Sequence, residues 1–419
     1  MIAPMITTRN SIQTNRRHWS LLLLFALLTL SLQSCLGIGE DTTFQNKTTG
    51  PNGAQIGINK TVQDKFKGTL YFTLDHNLYS LDGKLNLKQL TKNLEIHDPA
   101  VSPDGKTVAF IIRYKDYSQL ATIPSSGGQP QILLDGNGRY HPNDPFPPKS
   151  THVWYAQPSW SADGQTLLFL SDREKENWYA ATGINSPLLD LQVFALNLAN
   201  PKSKIQDVAY SVFGDGGLRD ASYRPNHPDQ VIYTSYHYDA SDTKQLVQLY
   251  IEDATALVKR PYYYHPGFDP SVPLTPETPD VANMEPSFSP DGNSLLYIRR
   301  EDATHRSLYV MPIADGVTSD PNNPRFDPNS DANKQKALAP FNQSAKLMTS
   351  QFVTKPIWSP NGMQIVYIDY HGTTFDLWLA TLQADPKNGG ALTIKANSSI
   401  QLTDAQGHLD ADCRPSWGA

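Results

Sequence analysis

One motif recurs along this chain: a proline, any residue, an aromatic residue, a serine, any residue, Asp or Asn, and a glycine, followed by an apolar run. The copies "DPAVSPDG", "QPSWSADG", "EPSFSPDG" and "KPIWSPNG" begin at Asp98, Gln157, Glu285 and Lys355. A worn copy, "DASYRPNH", begins at Asp220, and "RPSWGA" from Arg414 matches the first half. The aromatic or valine positions are 101, 160, 223, 288, 358 and 417, so the copies lie 59 to 70 residues apart. A period in this range indicates a repeat fold.

The motif predicts local structure through its turn residues. Ser-Pro-Asp-Gly suits a type I turn, with proline setting φ at the second position and glycine at the fourth. The runs that follow, such as "TVAFII" and "QIVYID", have the β-branched and aromatic composition of strands. Each repeat then offers a third strand and a short fourth strand, which often ends in Leu-Thr, at Thr91, Thr275 and Thr403. Four antiparallel strands per repeat are the plan of a β-propeller blade.

The two ends of the repeat region complement each other. Residues 68–91 predict strands two, three and four of a blade, whereas the last seven residues, "CRPSWGA", supply only a first strand. Pairing these ends avoids unpaired sheet edges, which favour aggregation. We therefore expect an all-β fold over 66–419, a six-bladed β-propeller of four-stranded blades, with the ring closed by the C-terminal strand joining the N-terminal blade.

The N-terminus has the pattern of a targeting segment. Arg16 and Arg17 precede the apolar run from Leu21 to Leu32, which is shorter than the roughly 20 residues of a membrane span and fits a secretory signal. The sequence "LQSC" ending at Cys35 resembles a bacterial lipobox. We expect a lipoprotein signal peptide over 1–34, a lipidated Cys35 that anchors the exported protein to a membrane, periplasmic or at the outer cell surface, and a flexible polar tether over 35–65. An ordinary signal peptide, with Cys35 present by chance, and a retained anchor helix are the alternatives.

Charge and cysteine content narrow the function classes. The chain has a net charge of −6, and removal of 1–34, which carries three arginines and no acidic residue, leaves 32 basic against 41 acidic residues, or −9. An acidic chain without a basic run argues against nucleic-acid binding, which needs clustered Lys and Arg. If Cys35 carries lipid, Cys413 has no partner for an intramolecular disulfide.

The motif copies resemble the WD40-like (PD40) repeats of the TolB propeller over roughly Gly68 to Ala419. The resemblance implies a propeller fold, and similar blades occur in prolyl-oligopeptidase-like peptidases and in some polysaccharide lyases. TolB also carries a smaller α/β domain before its propeller, where this chain has only the tether, so TolB's role is not carried over. Because one fold hosts many functions, the resemblance alone assigns none.

Sequence motifs for chemistry are scarce. There is no Gly-x-Ser-x-Gly, no His-Glu-x-x-His, no phosphate-binding glycine loop and no cysteine pair for zinc. The stretch from Asp327 begins like a calcium loop but has Ala332 at the turn glycine and Leu338 at the bidentate glutamate, which favours a polar insertion. Two aromatic-rich insertions, 140–155 and 259–270, have the composition of interface anchors, or else fold back as local caps.

The residue before each motif proline is the candidate site. In a propeller the first strand of each blade lines the central channel, so these residues should meet at one mouth of it, as a ligand-binding site or as salt bridges between blades. With the neighbouring histidine the set is His97, Asp98, Gln157, Asp220, Glu285, Lys355 and Arg414. The acids among them offer oxygen ligands to a divalent cation in the channel. The sequence assigns no catalytic residue and no cofactor, and leaves a metal open.

These observations favour a non-catalytic cell-envelope binding or scaffold lipoprotein, whose propeller mediates protein–protein interaction with an envelope protein or peptide. The alternative is a propeller-type enzyme that acts on polysaccharide or peptide at the channel mouth. A third reading is a periplasmic sensor or accessory subunit. The sequence leaves the oligomeric state open.

Overall fold

The computed structural model describes residues 43–49, 54–137, 152–175, 190–200, 204–211, 216–260, 268–320, 322–323 and 325–419. The chain divides into two compact units, 1–44 and 45–419. The predicted signal peptide and Cys35 lie outside the described residues. Within the ranges described, no helix has both the length and the apolar character needed to cross a membrane.

Strands dominate the described residues. The first fourteen are β1 Phe44–Thr49, β2 Ala54–Asn59, β3 Thr69–Leu74, β4 Asn77–Asp82, β5 Leu87–Gln89, β6 Ile96–Val101, β7 Thr107–Arg113, β8 Ser118–Pro124, β9 Gln131–Asp135, β10 Tyr155–Trp160, β11 Thr166–Ser171, β12 Gln192–Asn197, β13 Gln206–Ala209 and β14 Leu218–Arg224. The others are β15 His227–Tyr238, β16 Gln245–Asp253, β17 Val272–Pro273, β18 Ala282–Phe288, β19 Ser294–Arg300, β20 Arg306–Pro312, β21 Ala345–Ser350, β22 Thr354–Trp358, β23 Gln364–His371, β24 Thr374–Asp385, β25 Ala391–Ile394, β26 Ile400–Gln401, β27 Thr403–Asp404 and β28 Ser416–Gly418. Short helices are α1 Ala256–Lys259 and α2 Asp331–Leu338, with 3-10 turns at Lys60–Val62, Ala339–Gln343 and Pro386–Asn388.

The strands form antiparallel sheets that follow the repeats. Strands β6 to β9 make one four-stranded sheet and β10 to β13 the next. Strands β14 to β16 and β18 to β21 belong to one eight-stranded sheet, because a single parallel pairing of Val247 with Ala282 links β16 to β18, and β17 pairs with β16. Strands β22 to β25 form a five-stranded sheet with β26, and β1, β2 and β27 form a three-stranded one.

The last strand belongs to the first repeat sheet. Strand β28 pairs antiparallel with β3 in the order β28-β3-β4-β5, with Trp417 opposite Leu70. Trp417 packs edge-on against Phe66, with ring centroids 5.8 Å apart, and its indole N–H donates to the Lys67 carbonyl at 2.8 Å. A side chain at Gly68 would collide with the Gly418 carbonyl, so only glycine allows this approach.

The core lies between neighbouring sheets. Phe110 of β7 packs in a cluster with Leu78 of β4, while Ile111, next to it on the opposite face of the strand, packs in a cluster with Phe169 of β11. Both faces of such a strand are therefore buried, which explains its continuous apolar sequence.

The predicted turn is present in the four well-kept motif copies. Gly105 N–H donates to the Ser102 carbonyl at 2.9 Å, and the Ser102 hydroxyl donates to Asp104 at 2.6 Å. The motif glycines have φ between 67° and 72°, the left-handed region that favours glycine. In the worn copy His227 stands at the glycine position, and it is the preceding residue, Asn226 at the motif's Asp position, that has φ 61°. Asparagine is one of the few other residues that tolerate this conformation.

The Leu-Thr threonines complete the third strands. The hydroxyls of Thr91, Thr275 and Thr403 accept hydrogen bonds from the backbone N–H of Leu78, Leu249 and Leu377 at 2.9, 3.1 and 3.0 Å. Each threonine side chain therefore replaces a backbone acceptor where the short fourth strand ends, which explains why the residue recurs at this point.

The predicted tether over 35–65 needs correction at its end. Strand β2 pairs with β27, and Ile56, Ile58 and Val62 are fully buried in the core. Ile56 and Ile58 alternate along β2, and burial of these apolar side chains holds the segment against the rest of the fold. The polar residues around them hide this short alternation in the sequence. Asn59 fastens it further by donating to the Gln401 carbonyl at 2.8 Å.

The insertion that begins at Asp327 contains helix α2, which starts at Asp331, and two of its residues, Asn333 and Ala337, are buried. This agrees with its departures from a calcium loop, because the segment coils into a helix where such a loop would turn around an ion.

Replacing Trp417 by alanine should lower the free energy of unfolding by about 2 kcal/mol, less than the 3–5 kcal/mol of a fully buried tryptophan because this ring is half-buried. The change removes the Phe66 contact and the hydrogen bond to Lys67. Urea denaturation of the full chain measures it. Met363→Ala, at a side chain that is 57% exposed, is the control and should change the value by less than about 0.5 kcal/mol. If Trp417→Ala and Met363→Ala lowered the free energy of unfolding equally, the contacts of Trp417 in β28 would contribute little to stability.

Candidate functional site

The residues before the motif prolines share an unusual backbone conformation. Five of the six have positive φ: Asp98 51°, Gln157 48°, Asp220 58°, Glu285 57° and Lys355 50°. In each case the pairing of the first strand with the second shifts register there, as between His97 and Ala100. A left-handed conformation costs a non-glycine residue about 1–2 kcal/mol. At four of the five positions a following proline adds to the restriction, whereas Asp220 is followed by Ala221. This repeated strain implies that the side chains make compensating contacts.

Those contacts link each repeat to the next. Asp98 Oδ2 accepts from Gln157 N–H at 3.3 Å, and Gln157 Oε1 accepts from Asp220 N–H at 2.6 Å. Glu285 Oε2 likewise accepts from Lys355 N–H at 2.6 Å. The side chain of one repeat thus satisfies the backbone donor that the bulge exposes in the following repeat, which meets the requirement that buried N–H groups be paired.

Threonines complete the chain of bonds. The Thr234 hydroxyl bridges Asp220 and Glu285: it donates to Asp220 Oδ2 at 3.4 Å and accepts from Glu285 N–H at 3.2 Å. Thr354 Oγ1 lies 2.8 Å from each Glu285 carboxylate oxygen. Sequence reasoning missed both threonines: Thr354 stands directly before Lys355, but Thr234 follows no motif.

Ion pairs add to these bonds. Lys355 Nζ lies 3.4 Å from Glu285 Oε1 and 3.7 Å from Asp220 Oδ1. Arg414 Nη2 lies 3.3 Å from Asp220 Oδ1, and its Nη1 donates to the Pro286 carbonyl at 2.8 Å. Asp220, Glu285 and Lys355 are all buried. The structure therefore gathers the predicted residues of four repeats into one buried network of mixed charge.

Electrostatics hold this network in its ionised form. Burial opposes ionisation of Asp220, but Lys355, Arg414 and Arg219 outweigh it, and the pKa of Asp220 is lowered. Burial likewise opposes the charge on Lys355, yet Glu285 and Asp220 raise its pKa. Asp98 differs, because burial raises its pKa although Lys355 and His97 oppose the shift. The pKa of Asp98 is thus shifted in the opposite direction from that of Asp220, toward the neutral form.

A cavity of about 470 Å³ adjoins the network. Its wall comes from the motif strands of all six copies, and of the predicted residues Asp98, Gln157, Asp220 and Arg414 line it. Glu285 and Lys355 lie behind the wall. His97 does not line the cavity either; its ring contacts Cys413, with Nδ1 3.3 Å from the sulfur.

The rest of the cavity wall consists of proline, serine, aromatic and small or aliphatic apolar residues. Two tryptophans also tie adjacent repeats together: Trp160 N–H donates to the Ala100 carbonyl at 2.8 Å, and Trp358 N–H donates to the Ser287 carbonyl at 2.9 Å. The aromatic position of the motif therefore serves packing, inter-repeat bonding and the lining of the cavity.

The two aromatic insertions fall largely outside the described residues, at 138–151 and 261–267. At the described border of the second, the Arg260 guanidinium lies 3.9 Å from the centre of the Phe268 ring. This cation–π contact is local to the insertion.

Comparison with known proteins identifies the fold. No protein-family model matches the chain, and no curated protein matches it. Among solved structures it is similar to TolB from Acinetobacter baumannii, with 17% identity and a TM-score of 0.50 over 86% of this chain and 68% of that one. Oligogalacturonate lyase from Vibrio parahaemolyticus matches with 13% identity and a TM-score of 0.42 over 88% of each chain. The β-propeller domain of the trilobed protease from Pyrococcus furiosus matches with 10% identity and a TM-score of 0.39 over 86% of this chain and 93% of that one.

The antiparallel repeat sheets and the similarity to TolB show an all-β protein with a TolB-like β-propeller fold. At this level of identity the similarity defines the fold alone, and function has to be argued from the site.

Lys355→Met should lower the free energy of unfolding at pH 7 by about 3–5 kcal/mol, because it leaves the buried Glu285 and Asp220 without their shared cation. Urea denaturation measures the change. Lys106→Met is the matched control, because the Lys106 side chain is 81% exposed beside Asp104, and such surface pairs contribute about 0–1 kcal/mol.

The same variant has a pH signature. The lowered pKa of Asp220 in the wild type gives stability that is present above the unfolded pKa and lost as pH falls through the folded value. Without Lys355 the pKa of Asp220 should rise, so a fall in pH should lower the free energy of unfolding of the variant less than that of the wild type. The difference between the two free energies should therefore narrow as the pH falls from about 6 to about 3. A gap that stays constant over this range would argue that Lys355 acts through packing alone.

Proposed function

We propose that this protein is a non-catalytic binding or scaffold protein of the cell envelope, in which a six-bladed, ring-closed propeller presents its channel mouth to a protein or peptide. One observation carries the proposal: most of the polar side chains that converge on the mouth contact one another. Lys355 Nζ lies within 3.7 Å of Asp220 and Glu285, and the pKa of Asp220 is lowered while that of Lys355 is raised. Such an arrangement suits a rigid rim better than proton transfer, since a general base needs a pKa near the working pH.

Six motif copies support the number of blades. The eight-stranded sheet accounts for two of them, β14 to β17 and β18 to β21, joined by the single pairing of Val247 with Ala282. The pairing of β28 with β3 supports closure of the ring, because it joins the last copy of the motif to the strands of residues 69–89.

The cavity suits an extended peptide segment. Its volume of about 470 Å³ lies in the range of about 300–1,000 Å³ found for ligand sites. Aromatic rings such as Trp160 and Tyr223 provide apolar contact, and Ser159 and Ser222 provide hydroxyls. Aromatic residues in a concave site are typical anchors of protein recognition. Asp98 and Arg414 at the mouth offer one acid and one base to the partner's polar groups.

Export and anchoring complete the proposal. The signal pattern before Cys35 supports a lipid anchor, with the residues between Cys35 and β1 as the link to the body. The mass of the N-terminal peptide of the mature protein tests this: an unmodified cysteine, or cleavage at another residue, would rule out the anchor.

A cavity-filling variant tests the binding role. Ser159→Trp places a large ring in the cavity wall and should abolish capture of the envelope partner that wild-type protein retains after cross-linking in cells, because the bulk excludes an inserted segment. Met363→Trp adds the same ring at an exposed position and should leave capture unchanged. Thermal denaturation confirms that both variants fold. If Ser159→Trp captured the partner as well as the wild type does, the cavity would not be part of the binding surface.

The alternative, a propeller-type enzyme that acts on polysaccharide or peptide, has one specific observation in its favour. Asp98 is half-buried on the cavity wall and burial raises its pKa, as expected of a general base. Arg414 lines the same cavity and carries a charge suited to an anionic substrate.

Assay of the purified full chain against envelope polysaccharides and peptides separates the two functions. The binding proposal predicts no turnover. Turnover that falls by at least about 100-fold in Asp98→Asn, the range expected for loss of a general base, with unchanged thermal stability, would replace it with the enzyme.

A further inference from the structure

A second polar cluster lies beside the cavity residues Asp98 and Arg414 but does not line the cavity. His97 of β6 faces Asp412 and Cys413, which precede β28, and the ligand atoms of the three side chains lie within 4.8 Å of one another. Among the described residues it is the one such group of histidine, cysteine and acidic side chains. The cluster joins residues more than 300 positions apart in the chain. It has no role in the cavity, so its function has to be argued separately.

The distances match the coordination of a small cation. Cys413 Sγ lies 3.3 Å from His97 Nδ1 and 3.7 Å from Asp412 Oδ1, and His97 Nδ1 lies 4.0 Å from Asp412 Oδ2. Tetrahedral Zn²⁺, with bonds of about 2.0–2.1 Å to nitrogen and oxygen and about 2.3 Å to sulfur, places its ligand atoms about 3.3–3.6 Å apart. The sulfur and the imidazole nitrogen already have this spacing, and a small rotation of the exposed Asp412 carboxylate would bring one of its oxygens to the third corner of the face, with the exposed side left for a water molecule.

The surroundings of His97 support the same reading. The histidine is 2% exposed, and its other ring nitrogen, Nε2, makes no hydrogen bond among the described residues. Glu95 Oε1 is 3.5 Å from that nitrogen. A histidine that binds a metal through one nitrogen commonly donates the other N–H to a carboxylate, which fixes the ring. A shift of Glu95 by a few tenths of an ångström would complete this arrangement and satisfy the buried nitrogen.

Charge and access also favour a cation. The carboxylates of Asp98 and Asp412 both act electrostatically on Cys413, and their negative charge favours a positive ion at this position. The Asp412 side chain is 66% exposed above the buried thiol and imidazole, and gives the ion a path from solvent.

We infer that His97, Asp412 and Cys413 form a binding site for a transition-metal cation of the Zn²⁺ type, which clips the segment before β28 to β6. One thiolate, one imidazole and one carboxylate are a mixed set that suits Zn²⁺ better than the oxygen-seeking Mg²⁺ or Ca²⁺. Binding releases the thiol proton to solvent, so affinity rises with pH.

The test uses full-length protein carrying Cys35→Ser, in which Cys413 is the one thiol. Titration with Co²⁺, which substitutes for Zn²⁺ and absorbs visible light, should give one tetrahedral site per chain with a sulfur-to-cobalt charge-transfer band. Zn²⁺ should displace the cobalt and raise the melting temperature in a concentration-dependent way. Absence of the charge-transfer band would overturn the inference.

Variants assign the ligands. Cys413→Ser should abolish the charge-transfer band, and Asp412→Asn, at a side chain that is 66% exposed, should weaken Co²⁺ binding by at least tenfold. Glu95→Gln should weaken it about 10–100-fold, as expected for the carboxylate behind a metal-binding histidine. The matched control is His408→Gln, because His408 pairs with Asp75 at 3.0 Å near the same segment but outside the cluster. A band that survives in Cys413→Ser, or binding that His408→Gln weakens as much as Asp412→Asn does, would place the metal elsewhere.

Discussion

The repeated left-handed residue before the motif proline is the constraint on which the site depends. It breaks the regular pairing of each first strand and turns one polar side chain out of the sheet, toward the neighbouring repeat. The same distortion exposes a backbone N–H, and a side chain of the preceding repeat accepts a hydrogen bond from it, as Gln157 does from the N–H of Asp220. The strain in one repeat is therefore compensated by the repeat before it. A side chain too short to reach across would leave two defects, a strained backbone and an unpaired donor.

This arrangement accounts for the different residue types at equivalent positions. Acceptors are required wherever the next repeat presents an N–H, so Asp98, Gln157 and Glu285 all serve. Lys355 and Arg414 then neutralise the acids that would otherwise be buried alone. The mixed charge is thus a condition of packing, and recognition has to use what the network leaves accessible, the Asp98 and Arg414 groups and the aromatic wall of the cavity.

Much of this could be predicted from the motif, because its residues act locally. The turn, the strands and the convergence of Asp98, Gln157, Asp220 and Arg414 on one cavity follow from a pattern that the sequence repeats. The packing of Ile56 and Ile58 was not predicted, since an alternation of only two isoleucines in a polar stretch is too short to indicate a strand. The bridging role of Thr234 and the meeting of His97 with Asp412 and Cys413 depend on contacts between distant segments. The motif places His97 and Cys413 at equivalent positions of the repeat but is silent on which of their neighbours they face.

The sheet that combines β28 with β3 has a consequence for biogenesis. Residues 69–89 emerge from the ribosome more than 300 residues before residues 416–418, and their sheet lacks strand β28 until those residues have been synthesised. Long-range pairing of this kind folds late, because a loop of more than 300 residues has to close first. In a chain proposed to cross a membrane in an unfolded state, this delay would keep the first repeat sheet incomplete until residues 416–418 have been synthesised.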